Sequence, residues 1–148
     1  MIELSDIEDP EVFALADEAR EFLESQHWCE RTGNGWLAFA VPGVLGVFLF
    51  DVRGNQRDVD PQVWVVVGDL PSAYIAQPAD AGWQDVLSGY VYEMRRWVAA
   101  VEAEASVAEL IPVDVAPTRE HAAMLTRRLD FIQTELLDRS AEDIAGAV

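Results

Sequence analysis

Two histidines and one cysteine have the widest chemical repertoire in this sequence. His27 and Cys29 stand close together, Glu30 follows them, and His121 lies far downstream. A zinc site needs three or four such ligands, and a Cys–His pair can act as a nucleophile. The spacing matches no standard metal motif, and helical side chains two positions apart point away from each other. We therefore expect these residues to cap or pack, and we predict no bound metal and no cofactor.

Charged side chains also gather near the ends of two predicted strands: Asp51, Arg53, Asp58, Asp60 and Asp69. Carboxylates in such places can hold a divalent cation or form a general acid–base pair. Asp51 and Asp58 flank a predicted hairpin turn, where aspartate side chains commonly stabilise the backbone. Turn formation is the simpler explanation. Asp51 and Asp69 are the candidates for the alternative function, a small metal-assisted hydrolase.

Other patterns typical of enzymes are missing from the sequence. Gly33-Asn34-Gly35 has the glycine spacing of neither a P-loop nor a dinucleotide-binding loop. No serine lies in a Gly-x-Ser-x-Gly turn. Six aromatic residues could line a ligand pocket, although their spacing is more typical of a core: Trp64, Tyr74, Trp83, Tyr90, Tyr92 and Trp97. These observations favour a function that is not enzymatic.

The net charge is the most unusual property of the chain. It has 27 acidic and 10 basic residues, every base is arginine, and the formal charge is −17. Such a surface repels phosphate backbones and anionic lipids, so we expect neither a nucleic-acid partner nor a membrane partner. Residues 1–30 hold ten of the acids and one base, Arg20. Solubility, salt adaptation and docking of a basic partner would each explain this acidity.

The first predicted helix concentrates that charge on one side. Asp9 can cap it, Pro10 suits its first position, and we expect it to end near Trp28, ahead of a polar turn at 31–35. Steps of three and four separate its apolar residues: Val12, Leu15, Ala16, Ala19, Phe22 and Leu23. The opposite side carries Glu11, Asp17, Glu18, Glu21 and Glu24. Like charges three or four positions apart weaken a helix, so these five residues are our candidates for a partner-binding surface.

Three apolar runs predict strands at 36–41, 44–51 and 62–68, with stops at Pro42-Gly43 and at Arg53-Gly54-Asn55. Short connections between the runs indicate an antiparallel meander. None of the runs alternates polar with apolar residues, so we expect both faces of the sheet to be covered. Helices can cover them, or a second subunit can cover one face in a homodimer.

The second half of the chain is predicted to be mainly helical. Apolar residues keep helical spacing from Trp83 to Val101, and Thr118 can cap a last helix with apolar positions Ala122, Leu125, Leu129, Ile132 and Leu136. We expect a helical turn within 70–75 and an edge strand at 111–115. The predicted fold is a single α+β domain over 1–148. A three- or four-stranded antiparallel meander packs with an N-terminal helix and two long C-terminal helices.

The sequence also suggests a cellular location. Its first residues are acidic, without the basic start and apolar run of a secretory signal. The single cysteine suits a reducing compartment, and the longest apolar run, 44–50, is too short to cross a bilayer. We expect a cytoplasmic protein.

One segment carries a resemblance. The apolar strand at 63–67 runs into Gly68-Asp69-Leu70-Pro71 and then reaches Tyr74, which resembles a segment of small uncharacterised bacterial proteins. That resemblance implies no activity, substrate or catalytic residue. In size and acidity the chain is also similar to bacterial immunity proteins, which neutralise basic toxins. The leading hypothesis is therefore an acidic, immunity- or adaptor-like binding protein that docks a basic protein partner.

Overall fold

The computed structural model of the chain describes residues 1–55, 57 and 59–141. These residues form one compact unit over Met1–Val86 and a second that begins at Leu87, and the prediction of a single domain stays a prediction. In chain order the elements are β1 (Ile2–Glu3), a 3₁₀ turn (Leu4–Asp6), α1 (Pro10–Glu24), β2 (Cys29–Val41), β3 (Leu45–Gly54), β4 (Gln62–Gly68), β5 (Ala73–Ile75), α2 (Trp83–Glu102), α3 (Arg119–Phe131) and a π-helical segment (Ile132–Asp138).

The first unit contains an antiparallel sheet in which sequence neighbours pair in the order β1-β2-β3-β4-β5. The predicted α+β class and the meander are confirmed, and the sheet has five strands within the described residues. The turn between β2 and β3 forms at Pro42-Gly43 as predicted. Val44 N donates to Val41 O (2.9 Å), and Gly43 adopts a φ of 73°, which favours glycine.

The central strands are buried on both faces, as the lack of alternation predicted. On one face, Phe48, Phe50, Val65 and Val67 pack against an α1 stripe made of Leu15, Ala16, Ala19 and Leu23. On the other face, Val47, Leu49, Trp64 and Val66 are equally buried. The indole of Trp64 donates to Pro78 O (2.9 Å), and Phe39 stacks on Trp83 with ring centroids 3.9 Å apart. The packing of the α1 stripe on the first face anchors the helix to the sheet.

Helix α1 begins as predicted but ends earlier. Asp9 Oδ1 accepts from the amides of Glu11 (2.8 Å) and Val12 (3.4 Å), so Asp9 is the N-cap. The predicted end near Trp28 is wrong, because the helix stops at Glu24. The Ser25 hydroxyl donates to Phe22 O (2.6 Å), which supplies a local partner at the helix end.

The polar stretch 31–35 is part of strand β2, whereas the sequence predicted a turn. Its residues pair with β3, and the pairing shifts register between Cys29 and Arg31 and between Thr32 and Gly35. These irregularities let polar and glycine residues remain in a strand. A side chain at position 35 would force its neighbours to shift, since a Cβ there would lie 2.7 Å from both Leu4 Cδ1 and Phe50 Cε1.

Two further local predictions are wrong. The segment predicted as a helical turn within 70–75 contains strand β5, which pairs with β4 through Tyr74 opposite Val65. The segment 111–115, predicted as an edge strand, has no strand structure. In both places the apolar residues are too few for a period to be read. For residues 73–75, the available pairing edge of β4 decided the outcome.

The second unit contains the rest of α2, α3 and the π-helical segment. The predicted helices are confirmed, and Thr118 Oγ1 caps α3 by accepting from His121 N (3.2 Å). Arg95 of α2 pairs with Asp130 of α3 at 3.1 Å. Leu137 is buried where the sequence predicted Leu136, because a π-helix bonds each residue to the fifth along and so shifts the apolar stripe by one position.

None of the helices among the described residues has the length and apolarity needed to cross a bilayer. Of the predicted features, Asp58 and the end of the chain from residue 142 lie outside the described residues.

Candidate partner-binding surface

The side of α1 that faces away from the sheet carries all five acids predicted from the sequence: Glu11, Asp17, Glu18, Glu21 and Glu24. Each is exposed. The structure divides them by what their carboxylates contact. Asp17, Glu18 and Glu21 form neither an ion pair nor a side-chain hydrogen bond within the described residues. We call these three residues the acidic α1 surface.

Glu24 differs because its carboxylate is held by strand β2. Its Oε2 atom accepts from Thr32 N (3.3 Å) and from Thr32 Oγ1 (3.2 Å). The same hydroxyl accepts from Arg20 Nη1 (2.7 Å), which also donates to Gly33 O (3.0 Å). The Arg20 guanidinium lies 5.1 Å from the centre of the Phe50 ring. Glu24 and Arg20 therefore join the end of α1 to the sheet.

Glu11 lies at the other end of the helix. A Cβ built on Gly43 would be 2.7 Å from Glu11 Oε2, so this carboxylate lies over the turn between β2 and β3. Position at the first helical turn also favours a negative charge there. Glu11 and Glu24 thus have local roles at the two ends of α1, and the acidic α1 surface lies between them.

The carboxyl group of Glu18 has a perturbed pKa. Partial burial, together with the nearby Glu21 carboxylate, raises the pKa of Glu18 above its ordinary value. Both causes penalise the ionised form. A cation brought close to Glu18 would relieve the second cause by neutralising the repulsion.

Three aromatic rings meet beside the C-terminal turns of α1. Tyr74 from β5 lies 5.1 Å from the Trp28 ring in an edge-to-face arrangement and 6.5 Å from the Phe22 ring. We call Phe22, Trp28 and Tyr74 the aromatic trio. Tyr74 is 38% exposed, whereas three other aromatic candidates, Trp64, Tyr90 and Trp97, are buried in the core. The sequence indicated the aromatic character of Tyr74 but not its neighbours.

The structure does not bring Asp51 and Asp69 together. Asp51 ends the paired part of β3 opposite Gln62, and its Oδ1 accepts from Gln62 Nε2 (2.9 Å). Asp69 follows the opposite end of β4, where its amide donates to Val44 O (2.7 Å). Seven residues of extended chain from Gln62 to Asp69 place the two acids roughly 20 Å apart. They cannot share one cation or one proton.

Cys29 and His121 have structural surroundings, whereas the His27 side chain is exposed. Cys29 is buried, and that burial, helped by the Glu24 carboxylate, raises the pKa of its thiol. A thiol of this kind is a poor nucleophile because little thiolate forms. His121 Nδ1 lies 2.8 Å from Ala116 O, and since a carbonyl only accepts, this nitrogen carries the proton. Across the described residues, no group of three His, Cys, Asp or Glu side chains is arranged to hold a metal ion.

Comparison with known proteins finds no match to this chain among protein-family models, curated proteins or solved structures. The resemblance of the segment around Gly68-Asp69-Leu70-Pro71 to small bacterial proteins stays a prediction. The function must therefore be argued from the geometry of the chain's own residues.

Proposed function

We propose that the chain is a non-enzymatic binding protein, immunity- or adaptor-like, that docks a basic protein partner through the acidic α1 surface. We place this encounter in the cytoplasm. The observation that carries the proposal is the arrangement of Asp17, Glu18 and Glu21. Three neighbouring carboxylates are exposed and have no basic partner among the described residues, on a helix whose other side is buried in the core.

The energetics of α1 support a surface adapted to a partner. Asp17 and Glu21 are four positions apart, and Glu18 and Glu21 are three apart. Each such pair weakens an isolated helix by about 0.2–0.5 kcal/mol. A cationic partner would neutralise the repulsion between these carboxylates. That relief would make the binding free energy more favourable. Complementary charge also accelerates the encounter, so the association should be sensitive to salt.

An exposed aromatic residue adds a second kind of contact. Phe13 is 47% exposed and lies one helical turn before Asp17. Aromatic side chains often provide much of the binding energy at protein interfaces, while charges set orientation and rate. Because its buried stripe anchors α1 to the sheet, Phe13 and the acidic α1 surface are presented on a rigid element. Glu11 and Glu24 contribute to the negative potential around Phe13 and the acidic α1 surface.

The test is an affinity capture from host lysate with three baits. One bait is the unchanged chain, the second carries Asp17→Asn, Glu18→Gln and Glu21→Gln, and the third carries Glu102→Gln, Glu109→Gln and Asp114→Asn. The second and third baits lose the same charge, and the control residues are also exposed. We expect a basic protein on the first and third baits at low salt, and its loss from the second bait and at high salt. Equal capture by all three baits would contradict the proposal.

The two alternative functions gain no support from the geometry. The hydrolase was predicted to use Asp51, Asp69 and neighbouring carboxylates, but Asp51 of β3 lies opposite Gln62 at one end of β4 and Asp69 follows the other end. The structural homodimer was suggested by an open apolar sheet face. Strands β3 and β4 have buried residues on both faces in a single chain, so this reason for a second subunit is absent.

A further inference from the structure

The aromatic trio is placed to receive a group from outside the chain. Phe22 comes from α1, Trp28 from the segment before β2, and Tyr74 from the edge strand β5. The Trp28 and Tyr74 rings meet at 76°, and the Phe22 and Tyr74 rings at 36°. Phe22 and Trp28 are half-buried and pack against the core with part of their surface, and Tyr74 is 38% exposed.

Aromatic rings attract cations, and the chain uses this attraction elsewhere. Arg20 lies over Phe50 at 5.1 Å, and Arg96 lies over Tyr92 at 5.9 Å. Within the described part of the chain, no arginine lies over a ring of the trio. The exposed part of the trio, chiefly the Tyr74 ring, therefore has no cation from the described residues stacked on it.

A carboxylate lies one helical turn before Phe22, the member of the trio that α1 supplies. Glu18 precedes Phe22 by four positions, so the two side chains share one side of α1. Glu18 has no basic partner among the residues that the structure describes. Rings and carboxylate together are complementary to a flat cation.

We propose that Phe22, Trp28 and Tyr74, with Glu18 beside them, receive an arginine side chain of the basic partner. A guanidinium can stack on a ring through its face and bond a carboxylate through its edge at the same time. The compact, strongly hydrated ammonium of lysine matches this combination less well. This inference rests on the proposed function and adds the chemistry of the group that is recognised.

A defined peptide tests the inference directly. The probe is a peptide with blocked ends and four arginines separated by glycine and serine, and a matched peptide has lysine in their place. Binding is measured by calorimetry at low salt. We expect the unchanged protein to bind the arginine peptide about tenfold more tightly than the lysine peptide. Equal binding of the two peptides would overturn the inference.

Variants locate the site. Tyr74→Leu and Glu18→Gln should each remove most of the preference for arginine, while Tyr92→Leu and Glu102→Gln should retain it. Tyr92 is a suitable control because it is a tyrosine that is 63% exposed on another element. Thermal unfolding checks that each variant folds. If Tyr74→Leu does not fold, nuclear magnetic resonance of the tyrosine rings in the unchanged protein tests where the peptide binds. The arginine peptide should shift the ring resonances of Tyr74 and not those of Tyr92, and the reverse would overturn the inference.

The captured partner separates this inference from the proposed function. Suppose that Asp17→Asn with Glu21→Gln releases the partner while Tyr74→Leu binds it with unchanged affinity. The arginine site is then wrong and the acidic docking function stands. If neither variant changes the affinity, both proposals fail. Loss of binding by both variants, with retention by Tyr92→Leu, supports both.

Discussion

Helix α1 presents charged residues in two different settings. At its C-terminal end, Arg20 and Glu24 both contact Thr32 of strand β2. One turn away, Asp17 and Glu21 extend to solvent without an ion-pair partner in the described residues. The first pair stabilises the fold, and the second weakens its own helix. The difference shows that charge becomes structural on α1 only where the neighbouring strand offers a partner.

The helices of the second unit provide a further contrast. There, Asp130, Glu93 and Glu135 each lie within 3.5 Å of an arginine, in the pairs Arg95–Asp130, Arg96–Glu93 and Arg139–Glu135. Exposed pairs of this kind contribute little to stability, but they do neutralise charge locally. The acidic α1 surface lacks this neutralisation. The negative charge of Asp17, Glu18 and Glu21 is therefore not offset by a neighbouring arginine side chain, as it is at those three carboxylates.

The largest expected effect is on the free energy of unfolding. It follows from removing a buried side chain that packs α1 against the sheet. Leu23→Ala removes a fully buried side chain from the α1 stripe and should lower the free energy of unfolding by about 2–5 kcal/mol. Urea unfolding followed by circular dichroism measures it. Met124→Ala is the control, because Met124 is 46% exposed and should change stability much less. Similar losses in the two variants would show that the Leu23 side chain does not anchor α1.

The next effect concerns the Arg20 contacts. Arg20→Ala removes the hydrogen bonds to Thr32 Oγ1 and Gly33 O and the stacking on Phe50. We expect a loss of about 1–3 kcal/mol in the same unfolding measurement. Arg127→Ala on α3 is the matched control, since Arg127 is exposed. A loss no greater than that of the control would mean that the Arg20 contacts do not stabilise the end of α1.

The sharpest comparison changes one residue type at two positions. Glu24→Ala removes the acceptor for Thr32 and should destabilise the protein by about 1 kcal/mol. Glu21→Ala removes repulsion with Asp17, Glu18 and Glu24 and should stabilise it by a few tenths of a kcal/mol or more, about 0.2–0.5 per pair. The gain at Glu21 should shrink in concentrated salt, which screens exposed charges. Changes of the same sign at both positions would remove the distinction between them.

The smallest effect is the pH dependence caused by Glu18. Its pKa is raised in the folded protein, so the folded state binds more protons than the unfolded state between the two pKa values. The contribution of Glu18 to stability therefore falls as pH rises through that window. Glu18→Gln should be slightly more stable than the unchanged protein at pH 7, and this advantage should vanish below the unfolded pKa of about 4.3. Urea unfolding at pH 7 and pH 4 measures the difference, and an advantage independent of pH would contradict the assignment.

Part of the candidate site could be predicted from the sequence. Helical spacing placed Asp17, Glu18 and Glu21 opposite the buried stripe of α1, and the structure shows them exposed. The hydrogen bonds of Glu24 could not be predicted, because they depend on Thr32, which the sequence placed in a turn instead of a strand. The aromatic trio was missed for a similar reason. Tyr74 meets Phe22 and Trp28 only because β5 pairs with β4.

The sequence by itself determined where the helices and the central strands form. A long periodic stripe, as in α1 and α2, identifies its own buried side, and a continuous apolar run such as 63–67 identifies a strand covered on both faces. Tertiary structure alone decided the short and irregular segments. Strand β5, the bulged start of β2 and the burial of Leu137 depend on hydrogen bonds and packing that no local pattern contains. For that reason the sequence is enough to define a negatively charged helix surface, whereas the proposed arginine site depends on ring contacts that only the folded protein makes.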